Sequence, residues 1–393
     1  MMTPSRDHPV TQKNQFILVI GPHRSGSSLV AAALHSLGVN LGKQFIAPNE
    51  DNPKGFFEDE DIVRFNDRLL RSLNLSWDSF GFIWEMDFNT LKLKPYHNAA
   101  VALVLQRFDG VGAAGLKDPR FCILLPFWKR VIAEALNVDV TCVLSLREPE
   151  LCVLSQKTRH IKDSDFHLLG RRNVQTLLLW LTYVSRALAA VEPQRLIVVN
   201  YAALVATPEI ELQRLAKFLD LESSMQAMES YCRDQVDPLL NRSTGRGAVR
   251  RSEYPMVWDL ADTLYERLLA FSRCNSIQAD ELKQLLVYLD LQELEPIYIK
   301  ELQYMSGYAY KKIISLRHRL IRTIGEVGDE RGRVEFLREN YRSLEDQYKG
   351  LGDQYKALAD QYELLSANHQ IVLNTKGWKL LVAMRRFLTW RPG

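Results

Sequence analysis

Cysteine is scarce in this sequence, and its few occurrences follow no recurring spacing. Their number is odd, and no Cys-x-x-Cys pair occurs among them. This pattern suggests neither a disulfide framework nor a zinc site, so we expect reduced thiols in a cytoplasmic protein. The cysteines are Cys122, Cys142, Cys152, Cys232 and Cys274.

Long hydrophobic runs are also missing. No window of about 18 apolar residues occurs, so the sequence predicts no membrane-spanning helix. The first 15 residues are polar, and the apolar run after them ends at Gly21 and Pro22, which does not fit a signal peptide. A net charge of +3 is too small to indicate nucleic acid as a partner. The 47% of hydrophobic residues is typical of a globular protein, and 393 residues predict two or three domains.

Four short apolar segments are typical of buried parallel strands, and helical patterns separate them. The segments are residues 16–20, 111–116, 138–146 and 196–199. The helical patterns cover residues 28–37, 62–73, 126–136, 174–191 and 204–221. Strands that alternate with helices predict an α/β fold, a parallel sheet flanked by helices. Ligands bind such sheets at the carboxyl ends of the strands, so the residues after each strand are the candidates for chemistry.

A heptad repeat follows a helical region. Tyrosines recur at 341, 348, 355 and 362, and leucines recur three positions later at 344, 351, 358 and 365. Apolar positions with a period of seven predict a coiled coil and self-association through residues 334–372. A single amphipathic helix packed on the domain is the alternative, and Tyr at four seam positions leaves the strand number open. The predicted divisions are a flexible N-terminus (1–15), an α/β domain (16–250), a helical region (251–329), a coiled coil (330–373) and a basic tail (374–393).

The basic tail carries five cations and no acid, since Glu363 is the last acidic residue. Its amphipathic pattern predicts docking at the inner face of a membrane, or equally a helix that binds the same chain or a partner.

A glycine-rich turn follows the first predicted strand and leads into a helix. The geometry of strand, tight turn and helix start suits phosphate, because backbone N–H groups and the helix dipole favour an anion. Gly21 and Gly26 have the spacing of the Walker A loop, but Ser27 stands where that loop has its lysine. The cation lies inside the loop instead, at Arg24. A nucleotide kinase or other NTPase is therefore disfavoured but remains an alternative.

The segment Arg24-Ser25-Gly26-Ser27-Ser28 resembles the first phosphate loop of sulfotransferases that use 3′-phosphoadenosine 5′-phosphosulfate (PAPS). Arg147 ends the third predicted strand, and Ser155 lies eight residues later, as in the second phosphate-binding segment of that family. Residues 52–59, 117–120 and 196–208 resemble further segments of its bacterial branch. The resemblance implies that Arg24 contacts the bridging oxygen of the phosphosulfate, and that Arg147 and Ser155 bind the 3′-phosphate.

The resemblance implies sulfuryl transfer from PAPS to a hydroxyl, with a bacterial glycan or glycolipid as the expected acceptor. Glu58 is the first choice for the general base, with Asp59 and His23 as alternatives. Lys117 is a candidate for contact with the sulfuryl group or the acceptor, or equally for an ion pair with Asp118 or Glu58. Arg120 could bind an acidic acceptor or form a structural pair with Asp118. No metal is expected, because no ligand spacing occurs. A coiled-coil scaffold with a degenerate nucleotide fold is the alternative that is not an enzyme.

Overall fold

The computed structural model describes most of the chain. The described residues are 14–49, 52–80, 88, 90–108, 110–162, 169–237, 249, 251–274, 277–288, 294–326, 338–350, 352–354, 356–357 and 360–361. The chain divides into two units, Met1–Asp290 and Leu291–Gly393.

A four-stranded parallel sheet forms the centre of the first unit, with strand order β2-β1-β3-β4. The strands are β1 (Gln15–Ile20), β2 (Ala113–Lys117), β3 (Val140–Leu146) and β4 (Leu196–Asn200). In register, Ile17 pairs with Gly115 on one side and with Thr141 on the other. The predicted α/β fold with a parallel sheet is confirmed, and each predicted strand is found within three residues of its expected ends.

Helices cover both faces of this sheet. They are α1 (Ser27–Ser36), α2 (Glu60–Ser72), α3 (Lys94–Phe108), α4 (Phe121–Leu136), α5 (Pro149–Lys162), α6 (Asn173–Ala190), α7 (Tyr201–Ala206), α8 (Pro208–Leu219), α9 (Met225–Asp234), α10 (Pro255–Ser272) and α11 (Ala279–Tyr288). Short 3-10 helices lie at Leu91–Leu93 and Pro193–Arg195.

Alternate side chains of β1 enter two separate cores. Ile17 and Val19 pack with apolar residues of α1 and α8. Phe16, on the opposite face, meets Phe108 of α3 edge to face, with ring centroids 5.3 Å apart. All three side chains have no exposed surface. A strand buried on both faces explains why the sequence shows a continuous apolar run instead of alternation.

Two helix predictions are wrong in their bounds. Pro126 was expected to start a helix, but α4 starts five residues earlier, at Phe121, and includes the proline. Residues 121–125 are fully buried, so packing outweighs the hydrogen bond that Pro126 cannot donate. The helix expected over 204–221 is two helices, α7 and α8, because Pro208 starts the second and disfavours helical geometry at Thr207.

The second unit contains α12 (Glu295–Glu326) and a helical segment over residues 338–350. The heptads at 334–337 and most of those after 350 lie outside the described residues, as does the whole basic tail. Coiled-coil pairing therefore stays a prediction. In the described part of the chain, no helix is both long and apolar enough to cross a membrane. The five cysteines are all free thiols.

Candidate active site

A cavity of 520 Å³ lies at the carboxyl edge of the sheet. Each strand contributes a residue at or after its end: Arg24 follows β1, Lys117 ends β2, Arg147 follows β3 and Tyr201 follows β4. Parallel strands with a common direction bring these sequence-distant residues together. The cavity lining includes the predicted site residues Arg24, Gly26, Ser27, Ser28, Glu58, Lys117, Arg147 and Ser155. Ser25 is the exception, since it is fully buried and does not line the cavity.

The loop between β1 and α1 depends on its second glycine. Gly26 precedes α1 with φ of 90°, in the left-handed region that favours glycine. A Cβ atom there would lie 2.2 Å from Cδ2 of Tyr201, so a larger residue would collide with that ring. Arg24 also has a positive φ, 69°, which is uncommon outside glycine. The backbone therefore carries strain at a position where the resemblance places a ligand-binding residue.

The two predicted phosphate anchors touch each other. Arg24 donates from Nε to Oγ of Ser155 over 2.8 Å, although 131 positions separate them. Arg147 donates from Nη1 to the carbonyl oxygen of Arg24 over 3.1 Å, and its guanidinium lies 4.7 Å from the ring centroid of Tyr201. Both arginines are thus held in place in the structure, with Tyr201 as a stacking surface.

Tyr201 was not among the predicted site residues. Its position next to Gly26 and Arg147 shows that it shapes the cavity. The signal in the sequence was its place at the end of the fourth strand, inside the segment 196–208 that resembles the family.

The start of α1 is suited to an anion. The first N–H groups of a helix have no partner within the helix, and the first turn of α1 holds no acidic residue. Ser28 lies in this turn, and its Oγ receives hydrogen bonds from Nζ of Lys117 over 3.3 Å and from Nδ2 of Asn52 over 3.0 Å.

Glu58 and Lys117 form a nearly buried ion pair in the cavity, with 2.5 Å between Oε1 and Nζ. Their side chains are 12% and 3% exposed, respectively. Asp59, the neighbouring candidate, has a different position: it caps α2 by accepting from the N–H groups of Asp61 and Ile62. Burial raises the pKa of Asp59, and these hydrogen bonds partly oppose the shift. Asp59 does not line the cavity, whereas Glu58 does.

Arg120 is fixed between two aspartates. Its Nε lies 2.7 Å from Oδ1 of Asp67, and its Nη1 lies 3.0 Å from Oδ1 of Asp118, which is fully buried. Burial alone would lower the pKa of Arg120, but the two carboxylates outweigh it and the pKa is raised. Arg120 is thus in the structural pair that was one of its two expected roles, with Asp67 as an additional partner.

His23 directly precedes Arg24 and contacts the aromatic rings of Trp77 and Tyr183. Its ring meets that of Trp77 edge to face at 4.8 Å, and its Nε2 is 3.5 Å from Oη of Tyr183. Burial, followed by the charges of Arg120 and other nearby cations, lowers the pKa of His23 well below its ordinary value. The imidazole is therefore neutral at pH 7.

Cations outnumber anions along the cavity wall, six to three. The cations are Arg24, Lys54, Lys117, Arg120, Arg147 and Arg159, and the anions are Glu58, Asp67 and Asp237. Such an excess favours an anionic ligand. Among the described residues, no group of three or more His, Cys, Asp and Glu side chains could hold a metal ion.

Comparison with solved structures finds bacterial sulfotransferases at low similarity. The sulfotransferase domain of the Synechococcus PCC 7002 olefin synthase has a TM-score of 0.37 and 17% identity, covering 67% of this chain and 98% of that one. Sulfotransferase STF9 from Mycobacterium avium has a TM-score of 0.38 and 14% identity, covering 67% and 77%. No protein-family model and no curated protein matches the sequence. Evidence for function therefore comes from the residues of the cavity.

Proposed function

We propose that this protein is a sulfotransferase that moves the sulfuryl group of PAPS to a hydroxyl acceptor. The observation that carries the proposal is the meeting of the two anchors: Arg147, which follows β3, donates a hydrogen bond to the backbone carbonyl of Arg24 in the loop after β1. PAPS has anionic groups at both the 3′ and the 5′ position of its ribose, so one cavity with cations after two different strands suits it. Ser155, which contacts Arg24, adds a hydroxyl to the second anchor.

The chain supplies the groups that the reaction requires. The acceptor oxygen forms a bond to sulfur while the bond from sulfur to the phosphate oxygen breaks, leaving adenosine 3′,5′-bisphosphate. Arg24 and the N–H groups of α1 stabilise the charge that develops on the leaving oxygen. Glu58 accepts the proton of the acceptor hydroxyl. Lys117, paired with Glu58, holds that carboxylate in position and presents a positive charge near the sulfuryl group.

The acceptor fits best as an uncharged hydroxyl compound, such as a neutral glycan or glycolipid. Arg120 is paired with Asp67 and Asp118, and Lys117 is paired with Glu58. Arg120 and Lys117 are therefore already engaged with carboxylates of the protein, and neither is left for the carboxylate of an acidic acceptor. Trp77 adds an aromatic wall of the kind that binds sugar rings by their apolar face. Octyl glucoside and octyl glucuronide, which differ by one carboxylate, test this with labelled PAPS: we expect faster transfer to the glucoside, and a preference for the glucuronide would contradict it.

Two rival functions make different predictions. A nucleotide kinase or NTPase would bind ATP or GTP with Mg²⁺, but Ser27 stands where the Walker lysine would contact phosphate. A scaffold with a degenerate nucleotide fold would bind neither PAPS nor its product.

Isothermal titration calorimetry separates the three functions. We expect adenosine 3′,5′-bisphosphate to bind without added metal and ATP with Mg²⁺ to bind far more weakly. The reverse order would support the kinase, and the absence of binding by both nucleotides would support the scaffold.

A further inference from the structure

The segment before Glu58 contacts the phosphate loop through one amide. Asn52 donates from Nδ2 to Oγ of Ser28 over 3.0 Å and to the carbonyl oxygen of Gly55 over 2.5 Å. The carbonyl of Gly55 can only accept, so it fixes which end of the amide faces the loop. If the amide of Asn52 were flipped, its Oδ1 would face the carbonyl oxygen of Gly55. Both N–H bonds of the amide are thus committed, one of them to Ser28.

This amide determines what Ser28 can do. A serine hydroxyl accepts two hydrogen bonds and donates one. Oγ of Ser28 already accepts from Asn52 and from Lys117, which is itself only a donor. Among the described residues, none is placed to accept the hydroxyl proton of Ser28. Because Ser28 lines the cavity, the remaining capacity of its hydroxyl is to donate to a ligand there.

We infer that Asn52 is a positioning residue that fixes the hydroxyl of Ser28 as a hydrogen-bond donor to a phosphate or sulfate oxygen of the bound nucleotide. This inference rests on the proposed function. The hydrogen bond from Asn52 to Ser28 also connects segment 52–58, which carries Glu58, to the phosphate loop. Asn52 acts through Ser28 and has no need to touch the ligand.

Calorimetric titration with adenosine 3′,5′-bisphosphate tests the inference through a double-mutant cycle. Ser28→Ala should weaken binding about 10- to 100-fold, the range for a hydrogen bond to a charged group. Asn52→Ala should weaken binding by about 3- to 10-fold in the wild-type background, because the hydroxyl is then free to turn away. In the Ser28→Ala background, Asn52→Ala should change the Kd by less than about twofold. Additive losses would overturn the inference, since a purely structural role of Asn52 does not require Ser28.

Asn52→Asp adds a test of hydrogen-bond direction. The carboxylate would accept the proton of Ser28 and withdraw it from the ligand, so this variant should bind more weakly than Asn52→Ala. Asn49→Asp is the matched control, because it adds the same charge on the same turn and retains the acceptor for the N–H of Asn52. Equal losses in the two aspartate variants would show a charge effect only and would contradict the inference. Thermal melts verify that each variant is folded, and if Asn52→Asp is not, the alanine cycle alone decides. A wild-type protein that does not bind the nucleotide would refute the proposed function itself, which is a separate result.

Discussion

Replacing Arg147 with alanine should weaken nucleotide binding more than any other single change to an arginine in the cavity. In the structure its guanidinium is held by the carbonyl of Arg24 and by the ring of Tyr201, and the residue is 8% exposed. A side chain already fixed in this way loses little conformational freedom on binding. Its hydrogen bonds to phosphate should contribute about 1.5–3 kcal/mol each. The loss of one such bond predicts roughly a 10- to 150-fold higher Kd, and the loss of two predicts more.

Calorimetry with adenosine 3′,5′-bisphosphate measures this effect, and Arg24→Ala is the informative comparison. Arg24 is proposed to act mainly on the charge of the leaving oxygen, so its loss should lower kcat more than nucleotide affinity. Arg64→Ala is the control, because Arg64 is an exposed arginine of α2 whose partner is Glu60 on the same helix. It should bind the nucleotide like the wild type. A wild-type Kd in Arg147→Ala would refute the assignment of the second anchor.

Further changes test the remaining parts of the site and the assembly. Glu58→Gln should retain PAPS binding and lower turnover by roughly 10²–10⁴; near wild-type turnover would point to another base, such as His23. Gly26→Ala should lower the free energy of unfolding by about 1–3 kcal/mol, because of its positive φ and the collision with Tyr201, as measured by denaturant titration; unchanged stability would contradict the loop geometry. The pKa of His23 is lower in the folded chain than in the unfolded one, so acid favours unfolding, and stability should fall as pH drops from 7 through 6.5 and below. His23→Gln should flatten this dependence in thermal melts, and an unchanged pH profile would count against a buried neutral imidazole. Deleting residues 330–393 should convert an oligomer into a monomer that still binds PAPS, as measured by light scattering. A full-length protein that is already a monomer would refute self-association.

The sheet could be predicted from the sequence because each strand is buried on both faces. Such strands are short apolar runs, and β1 is the clearest case. Helix bounds were harder to predict where tertiary burial opposes local propensity, as at Pro126, which lies inside α4. The proline at 208 was informative in the opposite sense, since it marks the start of α8. The residues just before Pro126 are buried and most of those before Pro208 are not, a difference that a single sequence does not display directly.

The predicted site residues came from the ends of three strands and from the segment 52–59, and the topology explains why the strand ends meet. Any residue directly after a parallel strand faces the same edge, so Arg24, Lys117 and Arg147 were predictable as neighbours. Asp67 was not, because a single acid on the polar face of α2 has the pattern of a solvated residue until Arg120 is placed beside it. The hydrogen bond between Asn52 and Ser28 likewise depends on how a turn folds over the loop, which spacing alone does not encode.

The most direct measurement of the central claim is the fate of PAPS labelled at sulfur, incubated with the protein and neutral glycosides without added metal. We predict that label appears on the glycoside in a one-to-one ratio with adenosine 3′,5′-bisphosphate, and that Arg24→Ala abolishes both products. PAPS that stays intact in the presence of every glycoside, while ATP is hydrolysed when Mg²⁺ is supplied, would contradict the account.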